Sequence, residues 1–173
     1  MTRSLTVGER ALAAGVFGDA LAADPVRLIG SPWPFDRAFV PGTLAGRQWI
    51  VWPRRGLPAD IAVAPLAAQA TLIHELVHVW QAQTGVNLLF GKLRAGDGPA
   101  AYAYPATRNC RWDALNIEQQ AMVVEHRFRR SRGEATPGDD AFHARVCPFP
   151  AAGRPRTETQ RFDPRACTNP PIP

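Results

Sequence analysis

Ile73-His74-Glu75-Leu76-Val77-His78-Val79-Trp80-Gln81 is the stretch from which the rest of the chain is read. It sits in a run from Ala64 to Thr84 that holds no glycine, has its only proline at the start, and is followed by Gly85. Proline is tolerated in a first helical turn and glycine commonly ends a helix, so the run predicts a long central helix. Histidines at i and i+4 then project from one face, one turn apart, and their ring nitrogens reach a single zinc ion at about 2.0–2.1 Å. Glu75, directly after the first histidine, swings beside the metal without binding it and is placed to take a proton from the attacking water. With four histidines and six glutamates in 173 residues, chance produces H-E-x-x-H in roughly 0.3% of such chains. Leu72, Ile73, Leu76, Val77, Val79 and Trp80 surround the polar trio. Imidazoles and a carboxylate in so apolar a setting are costly to bury without a partner, and a metal supplies one.

A catalytic zinc takes three protein ligands and keeps a fourth position for water, so a third ligand must come from elsewhere. After the motif the candidates are Asp97, Asp113, Glu118, Glu125, His126 and His143. Residues Trp112 to Arg132 read as a second long helix, capped by Asp113 and stopped by Gly133. Glu118 lies inside it between Ile117 and Ala121, on a face expected to turn toward the core, where a lone acid needs a cation. Glu125 and His126 stand two turns further on, beside Arg127-Phe128-Arg129-Arg130-Ser131-Arg132, and read as surface residues. Those arginines suit the negative end of the helix dipole and need no ligand to explain them.

Toward the N-terminus, Thr6-x-x-Glu9 followed by Ala11, Leu12, Val16 and Leu21 predicts a capped first helix within residues 6–22. Between Pro25 and Pro58, Val26 to Ile29 and Gln48 to Trp52 read as strands among proline- and glycine-rich loops. Residues 85–111 read as irregular chain. Eight of the 17 prolines fall in the last 40 residues, which predicts one domain over 1–133 and a Pro-rich extended tail over 134–173. The expected class is α+β: two long packed helices carrying the metal site, an N-terminal helix and a small sheet.

Composition narrows the function. Hydrophobic residues are 46% and charged residues 20% of the chain, which excludes wholesale disorder. No apolar run is long enough for a membrane span, and Arg3, Glu9 and Arg10 stand where a Sec signal would be apolar, so a cytoplasmic protein is expected. The net charge is +5, and Lys92 is the one lysine among 20 basic residues. The arginines are spread along the chain, which reads as coding bias and argues against nucleic acid as a partner. Cys110, Cys147 and Cys167 have neither paired spacing nor an even count, so no disulfide framework is expected.

A helix with H-E-x-x-H followed by a second helix supplying a glutamate resembles the zincin metallopeptidases of the gluzincin branch. Leu5-Thr6-Val7-Gly8-Glu9, Val16-Phe17-Gly18-Asp19, His74 to Gly85 and Ile117-Glu118-Gln119-Gln120-Ala121 are similar to the short alphaproteobacterial proteins labelled vgr-related. The likeness covers about residues 5 to 130. It implies a Zn2+ cofactor held by His74, His78 and Glu118, Glu75 as the catalytic base, a peptide or protein substrate, and components of type VI secretion as partners. It also implies export by a route that needs no signal peptide. A substrate is expected to lie along an edge strand, best matched by Gln48 to Trp52. Gln119 and Gln120 stand where the branch often has an aspartate, so the group orienting a histidine is expected from Asp60 or Asp113. An oxyanion donor is expected from Tyr102, Tyr104, Arg111 or His143, with Tyr104 favoured. Cys147 or Cys167 in the tail can place a thiolate on the open zinc position.

Two other readings compete with a zinc peptidase. One is a non-enzymatic zincin acting as an adaptor or cargo module of the secretion apparatus. The other is a basic nucleic-acid-binding protein with Trp33, Trp49 and Trp52 as a stacking platform.

Overall fold

A computed structural model describes residues 2–31, 36–53, 56–96 and 98–150. The elements run β1 (Thr2–Ser4), α1 (Val7–Phe17), β2 (Val26–Ser31), β3 (Thr43–Leu44), β4 (Arg47–Pro53), α2 (Leu66–Gln83), α3 (Leu88–Ala95), α4 (Pro99–Tyr102), α5 (Ile117–Ser131) and α6 (Asp140–Val146). The α+β class is as expected, with one four-stranded sheet among the described residues.

The sheet order is β1-β2-β4-β3. β2 and β4 run parallel from Val26 opposite Gln48 to Ser31 opposite Pro53, while β1 and β3 pair antiparallel at the two sides. Along β4 the buried residues alternate, Gln48, Ile50 and Trp52, as the two-residue period of a half-buried strand requires. Gln48 to Trp52 is therefore a strand, but its outer side is covered. Thr43 and Leu44 pair with one end, and Phe39 exchanges two backbone hydrogen bonds with Val51, at 3.0 and 2.9 Å, near the other.

α2 lies between the sheet and α5, and every residue from Leu72 to Gln81 is buried. A helix covered on two sides loses its polar stripe, so each polar group on it must find a partner inside the protein. It starts at Leu66, after Pro65, rather than at Ala64. Its end is a Schellman turn: Gly85, at φ +91, lets Val86 N donate to Gln81 O (2.9 Å) and Gly85 N donate to Ala82 O (3.2 Å).

α5 starts later than the sequence predicts. Trp112–Ala114 is a short 3-10 turn, and the cap is Asn116: its Oδ1 accepts from Gln119 N at 2.8 Å while Gln119 Oε1 accepts from Asn116 N at 3.1 Å. This reciprocal pair satisfies two orphan donors, and Asp113 is left to an exposed pair with Arg111. At the N-terminus, Thr6 and Glu9 form the expected capping box. The buried Glu9 carboxylate also accepts from Arg3 at 2.6 Å and from Ile61 N at 2.9 Å. One side chain thus ties β1, α1 and the 61–63 turn together.

Two stretches differ from expectation. Residues 85–111 carry α3 and α4. The tail is not extended over 140–146, where α6 is capped by Asp139 and buries Phe142, His143 and Val146. Beyond it Phe149 packs edge-on against Phe17, Trp80 and Trp112, and Arg127 donates to its carbonyl at 2.8 Å. Cys147 is buried against Arg127 Nη1 at 3.1 Å, so it does not serve the metal position. Cys167 lies outside the described residues.

Candidate metal centre

α2 presents His74 and His78 one turn apart, and the first turn of α5 presents Glu118 opposite them. All three are buried, and their ligand atoms lie within 4.8 Å of one another. One oxygen faces both rings: Glu118 Oε2 is 3.3 Å from His74 Nε2 and 3.2 Å from His78 Nε2. Ligands at about 2.0–2.2 Å from a tetrahedral zinc stand about 3.4 Å apart, so these separations match the edges of a coordination shell.

The tautomers sharpen the fit. Gln81 Nε2 donates to Ile117 O at 3.1 Å and to Gln120 Oε1 at 2.9 Å, which leaves Gln81 Oε1 to accept from His78 Nδ1 at 2.8 Å. His74 Nδ1 likewise donates to Glu125 Oε2 at 3.1 Å. Neutral rings held this way turn bare Nε2 lone pairs toward a carboxylate oxygen, an array of three acceptors that only a cation reconciles.

Without metal the cation has to be a proton. Burial works against charge on His74, yet the carboxylates of Glu118 and Glu125 raise its pKa from 6.5 to about 9. Burial likewise disfavours charge on Glu118, but His74, His78 and Lys92 hold its carboxyl below the ordinary range. Glu125 is held low, against its burial, by His74 and Arg129. A raised histidine stabilises the fold fully below its unfolded pKa of 6.5 and loses that contribution as pH climbs through about 9. Metal-free protein is therefore expected to melt at lower temperature at pH 9 than at pH 6, a difference that His74→Gln reduces in paired thermal scans.

Glu75 is buried and lines the same site, and its Oε2 has no hydrogen-bond partner among the described residues. A carboxylate oxygen left bare in the interior is costly unless something arrives to use it. Beside it a cleft of about 450 Å³ is walled by Trp52, Thr71, Tyr102, Met122, His74 and Glu125.

The remaining candidates are placed elsewhere. Tyr104 is not in the cleft: its hydroxyl meets His126 Nδ1 at 2.8 Å and donates to Pro137 O at 3.1 Å, and its ring stacks on Phe142. Tyr102 lines the cleft, with its ring 6.4 Å from that of His74. Tyr104→Phe is expected to cost about 1 kcal/mol in a denaturant titration and to leave metal uptake unchanged. His143 donates through Nε2 to Pro137 O, and Asp97 lies outside the described residues. Asp60 caps the 61–63 turn and accepts from Thr6, so neither it nor Asp113 orients a histidine.

Glu125 and Gln81 do that work, and the Glu125 side chain is 12% exposed rather than out on the surface. Sequence spacing carries a signal for both: Gln81 is seven residues after His74, and Glu125 seven after Glu118. Two helical turns put each on the face of the ligand it follows. The arginines beside Glu125 are structural. Arg129 pairs with Glu125 and Glu134, and Arg130 pairs with Asp140. Trp52 is buried with its indole donating to Gly56 O, not offered as a stacking platform, and Trp33 lies outside the described residues.

No family model matches the chain. The type VI secretion system spike protein VgrG2b of Pseudomonas aeruginosa is 34% identical to it over 152 residues, which take in 78% of this chain and 14% of that protein. The chain thus spans a small part of the curated relative it matches. The solved effector domain of Pseudomonas aeruginosa VgrG2b has 34% identity and a TM-score of 0.63, over 76% of this chain and 75% of that one. On identity and coverage together, the chain belongs to the family of the VgrG2b effector domain.

Proposed function

We propose that this chain is a zinc-dependent metallopeptidase that works as an effector-type domain in type VI secretion. The observation that carries the reading is the bare, buried Glu75 Oε2 beside a His-His-Glu trio whose nitrogens are held as lone-pair donors. His74 Nε2, His78 Nε2 and Glu118 Oε2 would hold the zinc ion, which when bound polarises a carbonyl and acidifies water. Glu75 Oε2 accepts the proton of the attacking water and returns it to the departing amine. Glu125 and Gln81 keep both imidazoles in the Nε2-bare tautomer throughout. Trp52 and Met122 wall the cleft with apolar surface, which limits water around the reacting groups. The likeness to a VgrG2b effector domain supports the link to type VI secretion and, with it, an exit from the cytoplasm through that apparatus. No helix among the described residues is long and apolar enough to cross a membrane.

The same likeness favours a second reading, a cargo or adaptor module without turnover. Incubating zinc-loaded protein with a complex peptide library and mapping new termini by mass spectrometry decides between them. Cleavage that a chelator abolishes and added zinc restores is the expected result. Zinc bound at one per chain with no new termini would leave the adaptor reading.

A further inference from the structure

We propose that Lys92 is a positioning residue that keeps Glu118 a one-oxygen metal ligand, an inference that rests on the metal reading above. The two oxygens of Glu118 have different partners. Oε2 faces both histidines, whereas Oε1 is 3.5 Å from Lys92 Nζ. The carboxylate is almost fully buried and the lysine side chain is 35% exposed, so this ion pair is screened far less than a surface one. A cation on Oε1 disfavours that oxygen turning toward a second cation.

Helix packing sets the contact. Gly91 rests on Ile117, and a Cβ there would meet Ile117 Cδ1 at 2.9 Å and Cγ2 at 3.1 Å. The missing side chain lets α3 sit directly on the first turn of α5. The next residue of each helix, Lys92 and Glu118, is thereby brought together. The residue type also fits. This chain uses arginine at 19 of its 20 basic positions and lysine here alone. An arginine fork offers paired donors that can engage both carboxylate oxygens, while an ammonium is a compact point charge suited to one.

Cobalt in place of zinc reads the ligand arrangement directly, because visible absorption is intense for four-coordinate cobalt and weaker when a further oxygen binds. Wild type, Lys92→Met and Gly91→Val are loaded with cobalt, with circular dichroism as the check on folding. In both variants the visible band is expected to fall by about half or more, and X-ray absorption to show one more oxygen neighbour. Gly91→Val keeps the lysine but lifts α3, so it carries the test should Lys92→Met fail to fold. Variants that bind cobalt with the wild-type spectrum overturn the role of Lys92 alone. A folded wild type that takes up no cobalt overturns the metal reading, and this inference with it.

Discussion

Replacing Glu75 by glutamine is expected to lower peptide hydrolysis by about 10²–10⁴-fold while leaving zinc content and melting temperature at wild-type values. The separation follows from where Glu75 stands. It belongs to neither the ligand trio nor the pair of groups that orient the histidines, and its Oε2 makes no hydrogen bond among the described residues. Glutamine fills the same volume, so packing between Leu72 and Trp80 is kept. An amide cannot take up a proton at neutral pH, so the reaction loses its base. Initial rates on a peptide mapped from the library, with metal analysis on the same samples, make the comparison. Unchanged rates would assign proton transfer to another group, and lost zinc would make Glu75 part of the metal grip.

The second large effect is expected at His78. Its ring is buried and is held between Glu118 Oε2 and Gln81 Oε1. A ligand present at a thousand times its dissociation constant stabilises the fold by about 4 kcal/mol, which for a domain of this size is a rise in melting temperature of roughly 10 °C. Wild-type protein is expected to show that rise when zinc is added after chelation, and His78→Ala to show almost none. The variant starts from lower stability as well. Removing the ring leaves the Gln81 carbonyl without its donor, at about 1–3 kcal/mol, and opens a cavity against α5. Scanning fluorimetry with and without zinc separates the two losses. An equal zinc response in His78→Ala and wild type would dismiss the trio.

How far residues alone reach is clear from the elements they named. His74, Glu75 and His78 are legible because helical spacing converts a sequence pattern into a shared face. Glu118 is legible because an acid between Ile117 and Ala121 has no cheap reason to be buried. Glu125 was hidden by its arginine neighbours: their charge suggests solvent, yet Arg129 turns back to pair with Glu125 while Arg127 is drawn under the chain at Phe149. α3 was hidden by Gly91, which lowers helix propensity and is there for close approach to Ile117. α6 was hidden by the prolines around it, although Asp139 caps it as a short helix needs. The outer side of β4 is covered by the two-residue strand β3 and by the isolated bridge from Phe39 to Val51, neither of which a local pattern announces. Tyr102 and Tyr104 are two residues apart, and only the packing of Tyr104 on Phe142 and His126 separates their roles.

Diffraction data collected at the zinc absorption edge, from crystals of zinc-loaded protein, test the centre most directly. The expected result is one strong anomalous peak about 2.0–2.2 Å from His74 Nε2, His78 Nε2 and Glu118 Oε2. A peak at another set of side chains, or none in fully loaded protein, would contradict the account.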